Sequence, residues 1–115
     1  MGVYYEVTMR GWRNADLRDD FRLTEADLTT GVDLTGATLK LDIVDRAGTR
    51  VSCTTGNGRI VVTDAAGGYF RIDIPQSVMT TLVAGKCDLD LIKTQSGATD
   101  RLIAGTLTLE NGVTA

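Results

Sequence analysis

The stretch Thr38-Leu39-Lys40-Leu41-Asp42-Ile43-Val44 decides the fold class of this chain. Its three central aliphatic residues alternate with a lysine and an aspartate, and this two-residue period puts apolar and polar side chains on opposite faces of an extended strand. The same alternation returns at residues 69–74 and 87–91. The predicted core consists of the inward-facing residues of these three strands: Leu39, Leu41, Ile43, Phe70, Ile72, Ile74, Cys87, Leu89 and Leu91.

Glycine-containing turns separate these strands from their neighbours. Asn57-Gly58 is typical of a tight hairpin with positive φ angles, which we expect between strands at residues 49–54 and 59–63. Pro75 precedes Val78, Met79 and Leu82 at helical spacing, so a short helix is predicted near residues 75–83. Seven or eight short strands with turns about every 10 residues predict an all-β fold, a two-sheet antiparallel β-sandwich of Ig-like or jelly-roll-like type.

The chain length of 115 residues fits a single domain with two unequal parts. We expect an N-terminal arm at residues 1–35, with one or two strands, that packs on the body or on a neighbouring chain. The body, residues 36–115, is the β-sandwich and is expected to fold without the arm.

Composition argues against two classes of partner. The net charge is −3 and no basic run could neutralise a row of phosphates, so we expect no nucleic-acid binding. No apolar run approaches the roughly 20 residues that cross a bilayer, and the first residues do not form a signal segment. We therefore expect no membrane partner and synthesis in the cytoplasm.

The residue types do not support catalysis or metal binding. The chain has no histidine, which removes the usual serine and cysteine arrangements, and two cysteines are too few for a zinc site. Asp88 and Asp90 share a strand face, and a carboxylate pair with this spacing could in principle serve as a glycosidase dyad or a calcium site. The acidic group of the arm, at Asp16, Asp19 and Asp20, has the same possibility. Alternation with core residues favours solvated strand faces instead, so no catalytic residue, metal or cofactor is predicted.

The two cysteines, Cys53 and Cys87, lie at alternating positions beside apolar residues. This pattern favours two buried free thiols, and a disulfide between them is the alternative.

Trp12 is the only tryptophan and lies between Arg10 and Arg13, beyond the first strand pattern. It either plugs one end of the sandwich or anchors a neighbouring subunit, since tryptophan and arginine are enriched in binding hot spots. An extended arm could also add a strand to a neighbour's sheet. The predicted interface residues are Val3, Tyr5, Val7, Trp12 and Arg13.

The order of short segments in the body resembles small structural proteins of tailed bacteriophages, in particular the N-terminal domain of siphophage upper baseplate proteins. The segments that carry the resemblance are residues 33–39, 45–48, 58–60, 67–72, 82–85, 88–91 and 101–107. The resemblance as a whole extends over about residues 21–108.

The resemblance implies a virion structural protein without enzymatic activity, either a tail or baseplate component or a fibre-attachment adaptor. Its partners would be other virion proteins and further copies of the same chain in a homo-oligomer, and it would reside in the virion after synthesis in the host cytoplasm. Head decoration, a neck protein and a carbohydrate-binding β-sandwich module are the alternatives.

Overall fold

The structure is a computed structural model that describes residues 5–25, 27 and 29–113, with only the backbone described for residues 5–7. It contains eight strands and one helix in the described part. In chain order these are β1 (Tyr5–Trp12), β2 (Leu17–Arg22), β3 (Thr38–Val44), β4 (Arg50–Thr54), β5 (Ile60–Asp64), β6 (Tyr69–Ile74), α1 (Gln76–Met79), β7 (Gly85–Gln95) and β8 (Ala98–Glu110).

The strands form two sheets, which confirms the predicted sandwich. The larger sheet has the order β1-β8-β7-β3-β4 and the smaller one the order β2-β6-β5. All the pairs are antiparallel except β1 with β8, which run parallel with Tyr5 opposite Ile103 and Trp12 opposite Glu110. The two strands of the predicted arm thus each form the edge of one sheet, β1 in the larger and β2 in the smaller.

The core lies between the two sheets, and the predicted inward-facing residues are all found there. Each of them is at most 5% exposed, and Leu39, Ile43, Phe70, Cys87 and Leu91 are fully buried. Within the larger sheet, Leu41 on β3 lies opposite Cys53 on one side and Leu91 on the other. The alternation in the sequence therefore predicted both the strands and their buried faces.

The predicted helix is present as the single short turn α1, with Pro75 at its N-cap. Met79 at its end and Leu82 beyond it are fully buried. The segment that follows is held by side chains of the β3–β4 turn: Oδ2 of Asp45 accepts a hydrogen bond from the Val83 N–H at 2.8 Å, and Nε of Arg46 donates to the Ala84 carbonyl at 2.9 Å. The helix and its connection thereby close one end of the sandwich.

The predicted hairpin at Asn57-Gly58 is wrong. β4 pairs with β3 and β5 pairs with β6, so the chain crosses here from one sheet to the other. Gly58 has a positive φ of 78°, but Asn57 does not, and the Asn57 side chain forms hydrogen bonds to the neighbouring backbone. A tight two-residue turn of the predicted kind instead joins β7 to β8, where Ser96 and Gly97 have φ angles of 51° and 80°.

Candidate protein interface

The predicted interface residues fall on and beside β1. Val3 lies outside the described residues. Tyr5 and Val7 occupy backbone positions on β1 opposite Ile103 and Gly105 of β8. Trp12 is the last residue of β1, and Arg13 follows it. The structure therefore gathers the described members of the predicted set along one sheet edge.

The outer edge of β1 is open in the described part of the chain. The Arg13 N–H donates to the Glu110 carbonyl at 2.8 Å, which fixes the hydrogen-bonding phase of the parallel ladder. In that phase the odd-numbered residues of β1 bond to β8, and the N–H and C=O groups of its even-numbered residues point outward. A row of outward-pointing groups along an eight-residue strand is a template for pairing with another strand.

Trp12 lies at the end of this edge and is 43% exposed. Met9 and Gly11 face the core, where Met79 Cε lies 3.1 Å from the position that a Gly11 Cβ would take, so alternation puts Trp12 on the outer face of the larger sheet. This exposure fits the subunit-anchor interpretation of Trp12 better than the end-plug interpretation.

Arg13 makes contacts within its own chain. Its guanidinium donates to the Leu82 carbonyl at 2.7 Å, to the Thr80 carbonyl at 2.8 Å and to Oδ1 of Asn111 at 2.9 Å. These bonds tie the end of β1 to the segment after α1 and to the end of β8. Arg13 thus positions the end of the candidate edge, and its contact with a neighbouring subunit stays a prediction.

The outer edge of β4 is closed by side chains. The Ser52 carbonyl accepts hydrogen bonds from Nδ2 of Asn57 at 3.0 Å and from Nη1 of Arg59 at 3.2 Å. Oδ1 of Asn57 also accepts from the Thr54 N–H at 3.0 Å. These side chains occupy main-chain groups that another strand would need, which is one way of protecting a sheet edge.

The edges of the smaller sheet carry other protective features. On β2, Asp19 occupies the inward-facing position between Leu17 and Phe21, and an inward-pointing charge at an edge opposes strand addition. On β5, the pairing with β6 shifts register between Val62 and Asp64, which shortens the regular edge. Sequence reasoning missed these features, although the charged residue at an apolar position of β2 was a readable sign of an edge strand.

The two sets of carboxylates considered as a catalytic or metal site lie in different parts of the fold. Asp88 and Asp90 lie on the outer face of the larger sheet, in a shallow cavity that also contains Arg50 and Arg101. In the arm, Oδ1 of Asp16 accepts a hydrogen bond from the Gln76 N–H at 2.7 Å. Asp20 pairs with Arg71 at 2.9 Å, on the outer face of the smaller sheet. No group of three or more potential metal ligands occurs in the described part of the chain.

Both cysteines are buried free thiols in the structure, in agreement with the favoured interpretation. Leu41 on β3 lies opposite both Cys53 on β4 and Leu91 on β7. Cys87 is four residues from Leu91 along β7. That separation, roughly 13 Å along the strand alone, is too long for a disulfide. Burial raises the pKa of Cys53 to about 11, so its reactive thiolate form is scarce at neutral pH.

The similarity of this chain to known proteins is a similarity of fold. No protein-family model and no curated protein match the chain. No helix in the described residues is long and apolar enough to span a bilayer. Among solved structures, the N-terminal domain of ORF48 of phage TP901-1 is similar with a TM-score of 0.52 and 11% identity, covering 95% of this chain and 99% of that domain.

A family 123 glycoside hydrolase from Clostridium perfringens, studied for glycolipid glycan hydrolysis, is similar with a TM-score of 0.53 and 11% identity. The match covers 95% of this chain but only 23% of the hydrolase. At these identities the likeness is one of fold, and the chain thus shares a β-sandwich architecture with a complete phage domain and with a part of a larger enzyme.

Proposed function

We propose that this chain is a structural protein of a bacteriophage virion, a tail or baseplate component or a fibre-attachment adaptor without enzymatic activity. The observation that carries the proposal is the match between nearly the whole chain and nearly the whole of a phage domain, 95% and 99% respectively. The match agrees with the order of short segments in the sequence, which resembles phage baseplate domains.

The proposed assembly role is supported by the edges of the two sheets. β4, β2 and β5 each carry a feature that hinders strand addition, whereas no such feature occurs on the described part of β1. A strand that adds to an open edge is bound by main-chain hydrogen bonds, and side chains on alternate positions supply specificity. We therefore propose that β1 and Trp12 contact neighbouring virion subunits, including further copies of this chain.

The test is to purify particles from cells in which the encoding genome replicates and to search them for this chain by mass spectrometry. The proposal expects a fixed stoichiometry per particle. Trp12→Ala should lower the incorporation of the chain while leaving its melting temperature nearly unchanged. Tyr69→Ala is the matched control, because Tyr69 is an aromatic residue with a similar exposed fraction, 41%, on the other sheet. Particles that lack the chain altogether would refute the proposal.

The position within the virion is a separate question. Labelling of the chain in electron micrographs of particles distinguishes a tail or baseplate location from head decoration or a neck position.

A carbohydrate-binding role is the second candidate and has less support. A cavity of about 540 Å³ is lined by polar groups including Arg13, Gln76 and Asn111, which could hydrogen-bond sugar hydroxyls. Glycan modules usually also stack sugars on aromatic rings. Trp12 and Tyr69, the exposed aromatic residues of the described part, lie on opposite outer faces of the sandwich and cannot form one platform. Binding of the purified chain to a glycan array would favour this candidate.

A further inference from the structure

Strand β1, Tyr5-Glu6-Val7-Thr8-Met9-Arg10-Gly11-Trp12, has opposite charges at equal distances from Thr8: Glu6 lies two residues before it and Arg10 two residues after it. We propose that the open edge of β1 binds β1 of a second copy of this chain, antiparallel, with a two-fold axis through Thr8. The larger sheets of the two copies would then form one continuous sheet. This inference rests on the proposed role of β1 as an assembly edge and names the occupant of that edge.

The backbone phase restricts how two copies can pair. Only the even-numbered residues of β1 point their N–H and C=O groups outward, because the odd-numbered residues bond to β8. In an antiparallel pair, residues that exchange both main-chain hydrogen bonds lie directly opposite each other. A two-fold axis at Thr8 puts Thr8 opposite Thr8, and Glu6 opposite Arg10 of the second copy.

Charge then selects among the symmetric registers. The register centred on Thr8 brings two Glu6–Arg10 pairs together, one on each side of the axis. Moving the axis to residue 6 puts Glu6 opposite Glu6, and moving it to residue 10 puts Arg10 opposite Arg10. Opposite charges across a strand pair stabilise it and like charges destabilise it, so both of these registers are disfavoured. A two-fold axis at residue 7 or at residue 9 does not place Glu6 opposite Arg10, so these registers gain no charge pair.

Two of the residues that this register needs, Thr8 and Arg10, have accessible side chains. Thr8 is exposed. Arg10 has 64% of its side chain exposed, and within the described part of the chain it forms a loose ion pair, with Nε 3.9 Å from Oε2 of Glu110. An exposed ion pair of this length contributes little, so Arg10 can be recruited by a carboxylate of a second copy.

Cysteine cross-linking tests the register directly. In the proposed dimer the two Thr8 residues form a hydrogen-bonded pair with a Cα separation of about 5.5 Å, within disulfide range. Thr8→Cys should therefore give a covalent dimer under mild oxidation of the folded chain, since the native thiols are buried. Arg10→Cys alone should not, because its two copies would be four residues apart. A mixture of Glu6→Cys and Arg10→Cys chains should cross-link to each other.

Charge reversal supplies an independent test by native mass spectrometry and sedimentation at increasing concentration. Glu6→Arg or Arg10→Glu should each weaken dimerisation about tenfold, and the double variant should restore it. Glu110→Gln is the matched control, because it removes the intrachain partner of Arg10 without changing the register. A melting curve for each variant confirms that it remains folded.

Three results would overturn the inference: a wild-type chain that stays monomeric at all concentrations, cross-linking of Arg10→Cys as readily as of Thr8→Cys, or a double variant that dimerises no better than the single ones. These results are separate from the virion test. A monomeric chain found in particles would refute the register and leave the proposed function standing. A cross-linked dimer that is absent from particles would do the reverse.

Discussion

At the scale of single residues, Asp45 shows how one buried carboxylate organises an end of the sandwich. Its side chain is part of a residue only 5% exposed, and it accepts hydrogen bonds from the N–H groups of Val83, Thr49 and Ala47. The bond from Val83 is the main reason that the pKa of Asp45 lies below its ordinary value of 3.8, although burial opposes the shift. The carboxylate joins the β3–β4 turn to the segment after α1.

This shift gives a pH prediction. A carboxyl group with a lowered pKa in the folded state stabilises the fold above its ordinary pKa, and the contribution is lost as pH falls through the folded pKa. Asp45→Asn should lower the melting temperature near neutral pH, because an amide N–H₂ cannot accept the Val83 bond. The difference from wild type should shrink as the pH is lowered to about 2. Asp88→Asn, at an exposed position, controls for the loss of charge. A difference that is independent of pH would contradict the argument.

Core residues give a second prediction at this scale. Leu41 and Ile72 are 1% and 3% exposed and face each other across the sandwich around a small void. Leu41→Ala or Ile72→Ala should reduce the free energy of unfolding by about 2 to 5 kcal/mol, the usual result of emptying a packed aliphatic site. Lys40→Ala, on the outward face of the same strand as Leu41, should change it by less than about 0.5 kcal/mol. Equal effects in urea titrations would mean that the face assignment of β3 is wrong.

At the scale of elements, local sequence patterns predicted the features that depend only on residues close together in the chain, such as the bounds of a strand. The strand at Thr38–Val44 begins and ends as expected, because alternation of side chains is a property of the strand itself. The strand with which each strand pairs was harder to predict from the sequence. β1 pairs with β8, whose matching residues such as Ile103 are almost a chain length away, and no local pattern encodes that contact. The Asn57-Gly58 hairpin failed for a related reason: Asn57 caps the edge of β4 instead of reversing the chain.

The candidate interface was predicted in part. Alternation identified the first strand, and its single tryptophan drew attention to one end of it. That β1 differs from the other edges became clear only from the structure, because the closure of β4, for example, depends on the side chains of Asn57 and Arg59 reaching Ser52. Likewise, the bonds of Arg13 to Leu82 and Thr80 join residues that are far apart in sequence.

The closed edge of β4 gives a prediction about aggregation. Asn57→Ala removes the acceptor of the Thr54 N–H and a donor to the Ser52 carbonyl. We expect a loss of about 1 kcal/mol in unfolding free energy, and faster growth of light scattering on prolonged incubation, because the edge becomes available for pairing. Asn14→Ala, at a turn outside the sheets, is the control. An Asn57→Ala chain that is less stable but aggregates no faster than wild type would show that the side chain acts only on the turn.

At the scale of the whole molecule, β1 has two roles, one toward a neighbouring subunit and one within its own chain. Its outer edge is a candidate contact for another subunit, and its inner edge and face complete the sandwich of its own chain. Met9 is 8% exposed, and Gly11 lies against Leu17 and Leu107 of two other strands. The expectation from sequence was that the body folds without the arm, and this packing changes what we predict for a shortened chain.

A chain that begins at Asp16 would lack β1 and the Arg13 hydrogen bonds, leaving the β8 edge unpaired and the buried residues beside it uncovered. We expect it to lose the cooperative thermal transition of the full chain, because a small domain has little stability to spare when a strand is removed. A chain ending at Gly112 is the control, since Val113 is fully exposed and makes no contribution to the core. Circular dichroism melts distinguish the outcomes. If the shortened chain still melts cooperatively, β1 is an accessory strand that the rest of the sandwich does not need in order to fold.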